Sequence, residues 1–211
     1  MKKLIVEALG TMMLVLAILL MIPKYSGAEI ALGVAFVLMG LIYGGGPISK
    51  AHYNPAVTLA FWLRKQISTS MALGYILVQI LGAFLGVMLF FYLTGGDFKA
   101  FLPINRDSFS IPIFMAELLG TALLVFVILR VATAKSTAGN EYYGLAIGST
   151  VGAGIFAFGP ISNAVFNPAV SLAFCLSPLF DWGIFLPYIL TQFLAAVLAW
   201  GLYRLTADVS D

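Results

Sequence analysis

Sixteen residues are written twice in this chain. GPISKAHYNPAVTLAF (46–61) and GPISNAVFNPAVSLAF (159–174) agree at twelve positions and lie 113 residues apart. Asparagine is a preferred N-cap and proline is favoured at the first helical position. Asn54-Pro55-Ala56 and Asn167-Pro168-Ala169 therefore read as two helix starts, each preceded by a Gly-Pro break at Gly46-Pro47 and Gly159-Pro160. The helices they open run to about Leu63 and Leu176. That is roughly ten residues, or ~15 Å at 1.5 Å per residue, half of a bilayer.

The duplication extends outwards from these segments. VEALGTMMLVLAILL (6–20) resembles AELLGTALLVFVILR (116–130), setting Glu7 opposite Glu117 and Gly10 opposite Gly120. GYILVQILGAFLG (74–86) resembles PYILTQFLAAVLA (187–199), setting Gln79 opposite Gln192. The surroundings are hydrocarbon-like: 62% of the 211 residues are hydrophobic and 9% charged, against about 25% charged in soluble domains. Met71–Leu93 and Trp182–Tyr203 are uncharged runs long enough to span a membrane, and Leu4–Ile22 and Ile111–Leu129 are each interrupted once, by Glu7 and Glu117. Glycine-rich segments at about 30–46 and 142–159 complete six spans. Three full spans per half is an odd number, so the second half lies inverted with respect to the first. The expected organisation is one transmembrane domain over 1–211, with repeat one at about 1–93, a loop at about 94–110 and repeat two at about 111–211.

Inversion brings one half-helix in from each face, and the Asn-capped tips meet near the midplane. Irregular backbone at that depth is tolerated only where it lines water or is buried in protein, so carbonyls around 48–52 and 161–164 are expected to form a ladder of acceptors. The basic residues set the orientation. With the N-terminus inside, Lys2, Lys3, Lys50, Arg64, Lys65, Arg130, Lys135 and Arg204 fall on the cytoplasmic side and Lys24, Lys99 and Arg106 outside. Both termini are then cytoplasmic, in a plasma or inner cell membrane. The basic N-terminus lacks a small-residue cleavage site before Pro23 and reads as a retained helix. The lone Cys175 forms no internal disulfide and reads as a packed hydrophobe. Gly40/Gly44, Gly82/Gly86 and Gly148/Gly152 read as close helix crossings. The dispersed basic residues give no nucleic-acid footprint, and no nucleophile–base pair, metal-ligand cluster or phosphate loop suggests an enzyme, a cofactor or a metal.

SKAHYNPAVT and the second Asn-Pro-Ala box, set in two inverted halves with the glutamates of EALGT and ELLGT, resemble the aquaporin (major intrinsic protein) family over nearly the whole chain. The resemblance implies an all-α, right-handed bundle of six transmembrane helices plus two re-entrant half-helices, assembled as a homotetramer. It implies that Asn54 and Asn167 line a pore, their amide N–H groups gripping a passing oxygen while the positive ends of both half-helices repel cations. Glu7 and Glu117, which could also serve proton coupling in a transporter, are expected instead to brace the re-entrant segments. His52 is expected to make a bracing hydrogen bond in preference to acting as a pH-sensitive mouth residue.

One departure stands out. Water-selective members of the family resemble one another in placing arginine directly after the second box, where this chain has Val170. Ungapped counting carries the other constriction positions to Val34, Ile155 and Ala164, all apolar. The implied neck is wide, uncharged and without side-chain donors. It suits water and small neutral solutes such as glycerol-like polyols, urea, ammonia, peroxide or metalloid acids such as arsenous acid. Ser171 stands where the glycerol subtype typically has aspartate, and an aliphatic neck can also dewet. The alternatives are an ordinary water channel, a proton-coupled transporter using Glu7 and Glu117, and a non-conducting structural membrane protein.

Overall fold

The computed structural model describes residues 1–95, 109–177 and 179–207. Its elements are α1 (Lys2–Met21), α2 (Gly27–Ser49), α3 (Pro55–Leu63), α4 (Thr69–Thr94), α5 (Ile111–Thr133), α6 (Tyr143–Ser162), α7 (Pro168–Leu176) and α8 (Phe185–Thr206). No strand occurs among the described residues. Six of the helices are long and apolar enough to cross a membrane; α3 and α7, at nine residues each, reach halfway. Lys99 and Arg106, and with them most of the loop between the halves, lie outside the described residues.

Each half packs both on itself and against the other. The pairs α1–α4, α5–α8 and α2–α6 lie side by side, while α3 packs against α8 and α7 against α4. Every half-helix is thus held by the last helix of the opposite half. Glycine sets the closest approaches. A side chain at Gly82 would strike the carbonyl oxygen of Ala8, one at Gly86 would lie 2.8 Å from that of Met12, and one at Gly148 would lie 2.7 Å from that of Ala35. Gly40 and Gly44 differ from expectation: neither has a neighbour within 4 Å of where a Cβ would stand. They lie on the exposed side of α2, whereas Ala31 and Ala35 meet α6.

The pattern of burial inverts that of a soluble protein. Leu77, Leu81, Phe84 and Met88 on α4, and Leu186, Leu190 and Leu194 on α8, are exposed. Glu7, Thr11, Gln79, Glu117, Thr121 and Gln192 are fully buried. Apolar side chains facing outwards need hydrocarbon around them, and polar ones facing inwards need partners.

The Gly-Pro pairs do not break their helices. α2 runs through Pro47 to Ser49 and α6 through Pro160 to Ser162. A proline interrupts only one intrahelical bond and its own carbonyl stays available. Here it falls so near the end that Lys50 and Asn163 still close the last turn, donating to the carbonyls of Gly46 and Gly159. The chain reverses instead at these two residues, both in the left-handed conformation, with φ of 75° and 65°. The carbonyl segments accordingly begin two residues later than expected, at 50–53 and 163–166. The carbonyls of Ser49 and Ser162 belong to helix ends and accept the hydroxyls of Tyr75 and Tyr188, at 2.7 Å in each case.

Candidate functional site

Both short segments adopt a conformation that side chains resist. Lys50, Ala51 and Tyr53 have positive φ (75°, 50° and 47°), as do Asn163, Ala164 and Phe166 (65°, 48° and 51°). Left-handed backbone costs a non-glycine residue on the order of 1–2 kcal/mol, so six such positions need external restraint.

Buried carboxylates supply it. Glu7 accepts from the Ser49 hydroxyl (2.7 Å), the backbone N–H groups of His52 (2.9 Å) and Tyr53 (2.8 Å), and Gln79 Nε2 (2.9 Å). Glu117 accepts from Ser162 (2.7 Å), Val165 N–H (2.9 Å), Phe166 N–H (2.9 Å) and Gln192 Nε2 (2.8 Å). Each glutamine passes the network on to the half-helix: Gln79 Nε2 donates to Thr58 Oγ1 at 3.0 Å and Gln192 Nε2 to Ser171 Oγ at 3.1 Å. Packing completes the restraint. The Tyr53 ring occupies the space that side chains at Gly10 and Gly45 would need, and the Phe166 ring that of Gly120 and Gly154.

The two half-helix tips are bonded to one another's segments. Asn54 Oδ1 accepts from the N–H groups of Ala56 (2.8 Å) and Val57 (3.4 Å), and Asn167 Oδ1 from Ala169 (2.9 Å). Pro55 and Pro168 occupy the first helical position, and Ala56 and Ala169, fully buried, let the helices approach. Asn54 Nδ2 donates to the Phe166 carbonyl and Asn167 Nδ2 to the Tyr53 carbonyl, both at 2.9 Å. A side-chain amide carries two N–H groups, so each asparagine retains one for whatever occupies the space beside it.

That space is a cavity of ≈ 550 Å³, lined by both asparagines. Val34, Ile155, Ala164 and Val170 all border it, contributed by α2, α6, the second re-entrant segment and α7. His52 lies at its wall, with Nδ1 3.1 Å from Thr58 Oγ1 and its ring against Phe61 and Tyr75. Neither Glu7 nor Glu117 borders the cavity. Cys175 is buried, its thiol directed at the Asp181 carbonyl. No group of three or more His, Cys, Asp or Glu capable of holding a metal occurs among the described residues.

Sequence reasoning assigned no role to Ser49, Ser162, Tyr75, Tyr188, Gln79 or Gln192, although the structure ties all six to the re-entrant segments. The duplication itself carried the signal. Polar residues at matching places within apolar spans, such as the tyrosine and glutamine of GYILVQ and PYILTQ, are paired because the same braces are needed twice.

The fold and this site define a class: an integral membrane protein built around two opposed, Asn-capped half-helices that meet beside a central cavity. Within that class, the chain belongs to the Major intrinsic protein family, whose sequence profile matches residues 1–163 and 113–210. It is 35% identical over 199 residues to Aquaporin NIP3-1 of Arabidopsis thaliana, covering 86% of this chain and 59% of that protein. To Nodulin-26 of Glycine max it is 34% identical over 178 residues, covering 81% of this chain and 65% of that protein. The chain thus spans less than two thirds of the length of these relatives. The crystal structure of the aquaglyceroporin from Plasmodium falciparum shares its fold, with a TM-score of 0.80, 22% identity and coverage of 97% and 96% of the two chains.

Proposed function

We propose that the chain is a passive transmembrane channel for small uncharged solutes, with water among them. Val170 carries the reading. It stands directly after the second Asn-Pro-Ala, is buried, and borders the cavity together with Val34, Ile155 and Ala164. Four apolar side chains leave the neck without a fixed charge and without side-chain donors, so a solute there exchanges hydration only for backbone groups. Such a neck discriminates poorly by hydrogen bonding and mainly by width and desolvation, which favours neutral molecules of glycerol, urea or undissociated metalloid-acid size. Cations are turned back by the positive ends of α3 and α7, each worth about half a charge.

The position of Glu7 and Glu117 supports the passive reading over proton coupling. Both are enclosed by four donors and stand away from the cavity. The proposal includes insertion in the cell membrane with both termini cytoplasmic, one domain over 1–211, and assembly as a homotetramer.

Narrowing the neck tests the assignment. In proteoliposomes, Val34→Phe adds bulk without burying a charge, and Val170→Arg restores the cation. Each is expected to reduce glycerol uptake about tenfold, equivalent to ~1.4 kcal/mol of barrier, with a smaller effect on water. Unchanged glycerol uptake in both variants overturns the filter assignment.

A further inference from the structure

The inverted repeat allows the two ends of the cavity to be compared position by position. At the 113-residue offset Val34 matches Ile147, Ile42 matches Ile155 and Val57 matches Val170, and all six border the cavity. The walls are therefore aliphatic at both ends. The mouths are not alike. Where α6 ends, the residue that turns the chain back is Asn163; where α2 ends, it is Lys50, in the same left-handed conformation and also bordering the cavity. The cavity wall also carries Tyr143, whose ring lies against Gly46 in the last turn of α2 and whose counterpart at the other end is Ile30. Among the described residues bordering the cavity Lys50 is the one with a formal charge, and no carboxylate among them borders it to offset that charge. It lies at the end of the bundle where α1 begins and α8 ends.

We propose that Lys50 is a charge barrier of this channel, setting its discrimination between cations and neutral solutes at the mouth opposite the apolar neck. The inference rests on the channel reading above. The physics is that of a single ammonium beside a low-dielectric path. Exposed charges act over about a Debye length, ~8 Å at physiological ionic strength, and field lines are focused where apolar walls confine them. A monovalent cation crossing this mouth meets a like charge before it reaches the two helix tips, whereas glycerol or urea has no net charge for the ammonium to act on. Among the described residues bordering the cavity, no arginine or lysine stands at its other end to share the task.

The test compares potassium efflux and glycerol uptake in the same proteoliposomes for the wild type, Lys50→Gln and Lys50→Glu. Loss of the charge is expected to raise potassium efflux several-fold and its reversal about tenfold or more, while glycerol still enters all three. Potassium efflux in Lys50→Glu equal to that of the wild type, with glycerol uptake intact, leaves exclusion to the half-helix tips and overturns the role of Lys50. Absence of glycerol uptake in the wild type fails the channel reading itself, and the barrier with it. A rise in both fluxes together also overturns the proposal, because it marks a general loosening of the mouth in place of a charge effect.

Discussion

At Glu117 one carboxylate joins α5, the end of α6, the second re-entrant segment and α8 through Ser162, Val165, Phe166 and Gln192. Every partner is a donor, so the site requires an acceptor with two oxygens. Glu117→Gln changes the shape very little but replaces one acceptor with an N–H₂ group facing other donors. Each buried donor left unpaired costs about 1–3 kcal/mol, and the left-handed residues Asn163, Ala164 and Phe166 lose part of their restraint. The variant is expected to lose roughly 2–4 kcal/mol of stability, read as a lowered unfolding temperature in detergent. An unchanged unfolding temperature contradicts the bracing role. His52 shows the limits of the duplication at this scale. Its counterpart is Val165, so its bond to Thr58 and its contacts with Phe61 and Tyr75 belong to the first half alone.

At the scale of elements, close packing of backbone on backbone holds the bundle together. Gly82→Leu forces α1 and α4 apart, because its first side-chain carbon already overlaps the Ala8 carbonyl. Overpacking of this kind costs about 1–3 kcal/mol or more, and loss of the monodisperse folded species on size exclusion is expected. Gly40→Ala meets open space and gains helix propensity of up to ~1 kcal/mol, so its unfolding temperature should hold or rise. A fall comparable to that of Gly82→Leu contradicts the packing described. The same two glycines show what the sequence made legible. Spacing identified both as candidate crossings, but glycines four apart on a helix mark a face without saying what covers it. The half-helices could be read because asparagine and proline act locally, through caps that need no tertiary context. The end of α2 could not. Pro47 suggests a break, yet a proline close to the C-terminus removes too little to stop the helix. The left-handed segments were largely hidden, since lysine, alanine, tyrosine and phenylalanine give no sign of positive φ and only Asn163 is of a type that favours it. Their conformation is imposed by Glu7 and Glu117 from other helices.

For the whole molecule, inversion is the organising relation. It places α3 on α8 and α7 on α4, so neither half has a complete set of partners alone. It also fixes which loops share a side. The proposed orientation predicts that, in a Cys175→Ser background, Ser26→Cys is labelled by a membrane-impermeant maleimide on intact cells and Gln66→Cys only after permeabilisation. Labelling in the opposite order reverses the orientation, and labelling of both from outside contradicts the inverted arrangement. Four apolar side chains from α2, α6, the second re-entrant segment and α7 meet at the cavity only because the halves interleave in this way. Counting from the boxes reached these positions, but the cavity they share comes from the tertiary arrangement.

Whether this apolar neck passes neutral solutes larger than water is read by stopped-flow light scattering of wild-type proteoliposomes. Vesicles are mixed with hyperosmotic glycerol, urea or sucrose. Shrinkage is expected in all three, followed by re-swelling in glycerol or urea about tenfold or more faster than in protein-free vesicles, and none in sucrose. Accelerated shrinkage with no accelerated re-swelling in either glycerol or urea would contradict this expectation and leave a strict water channel.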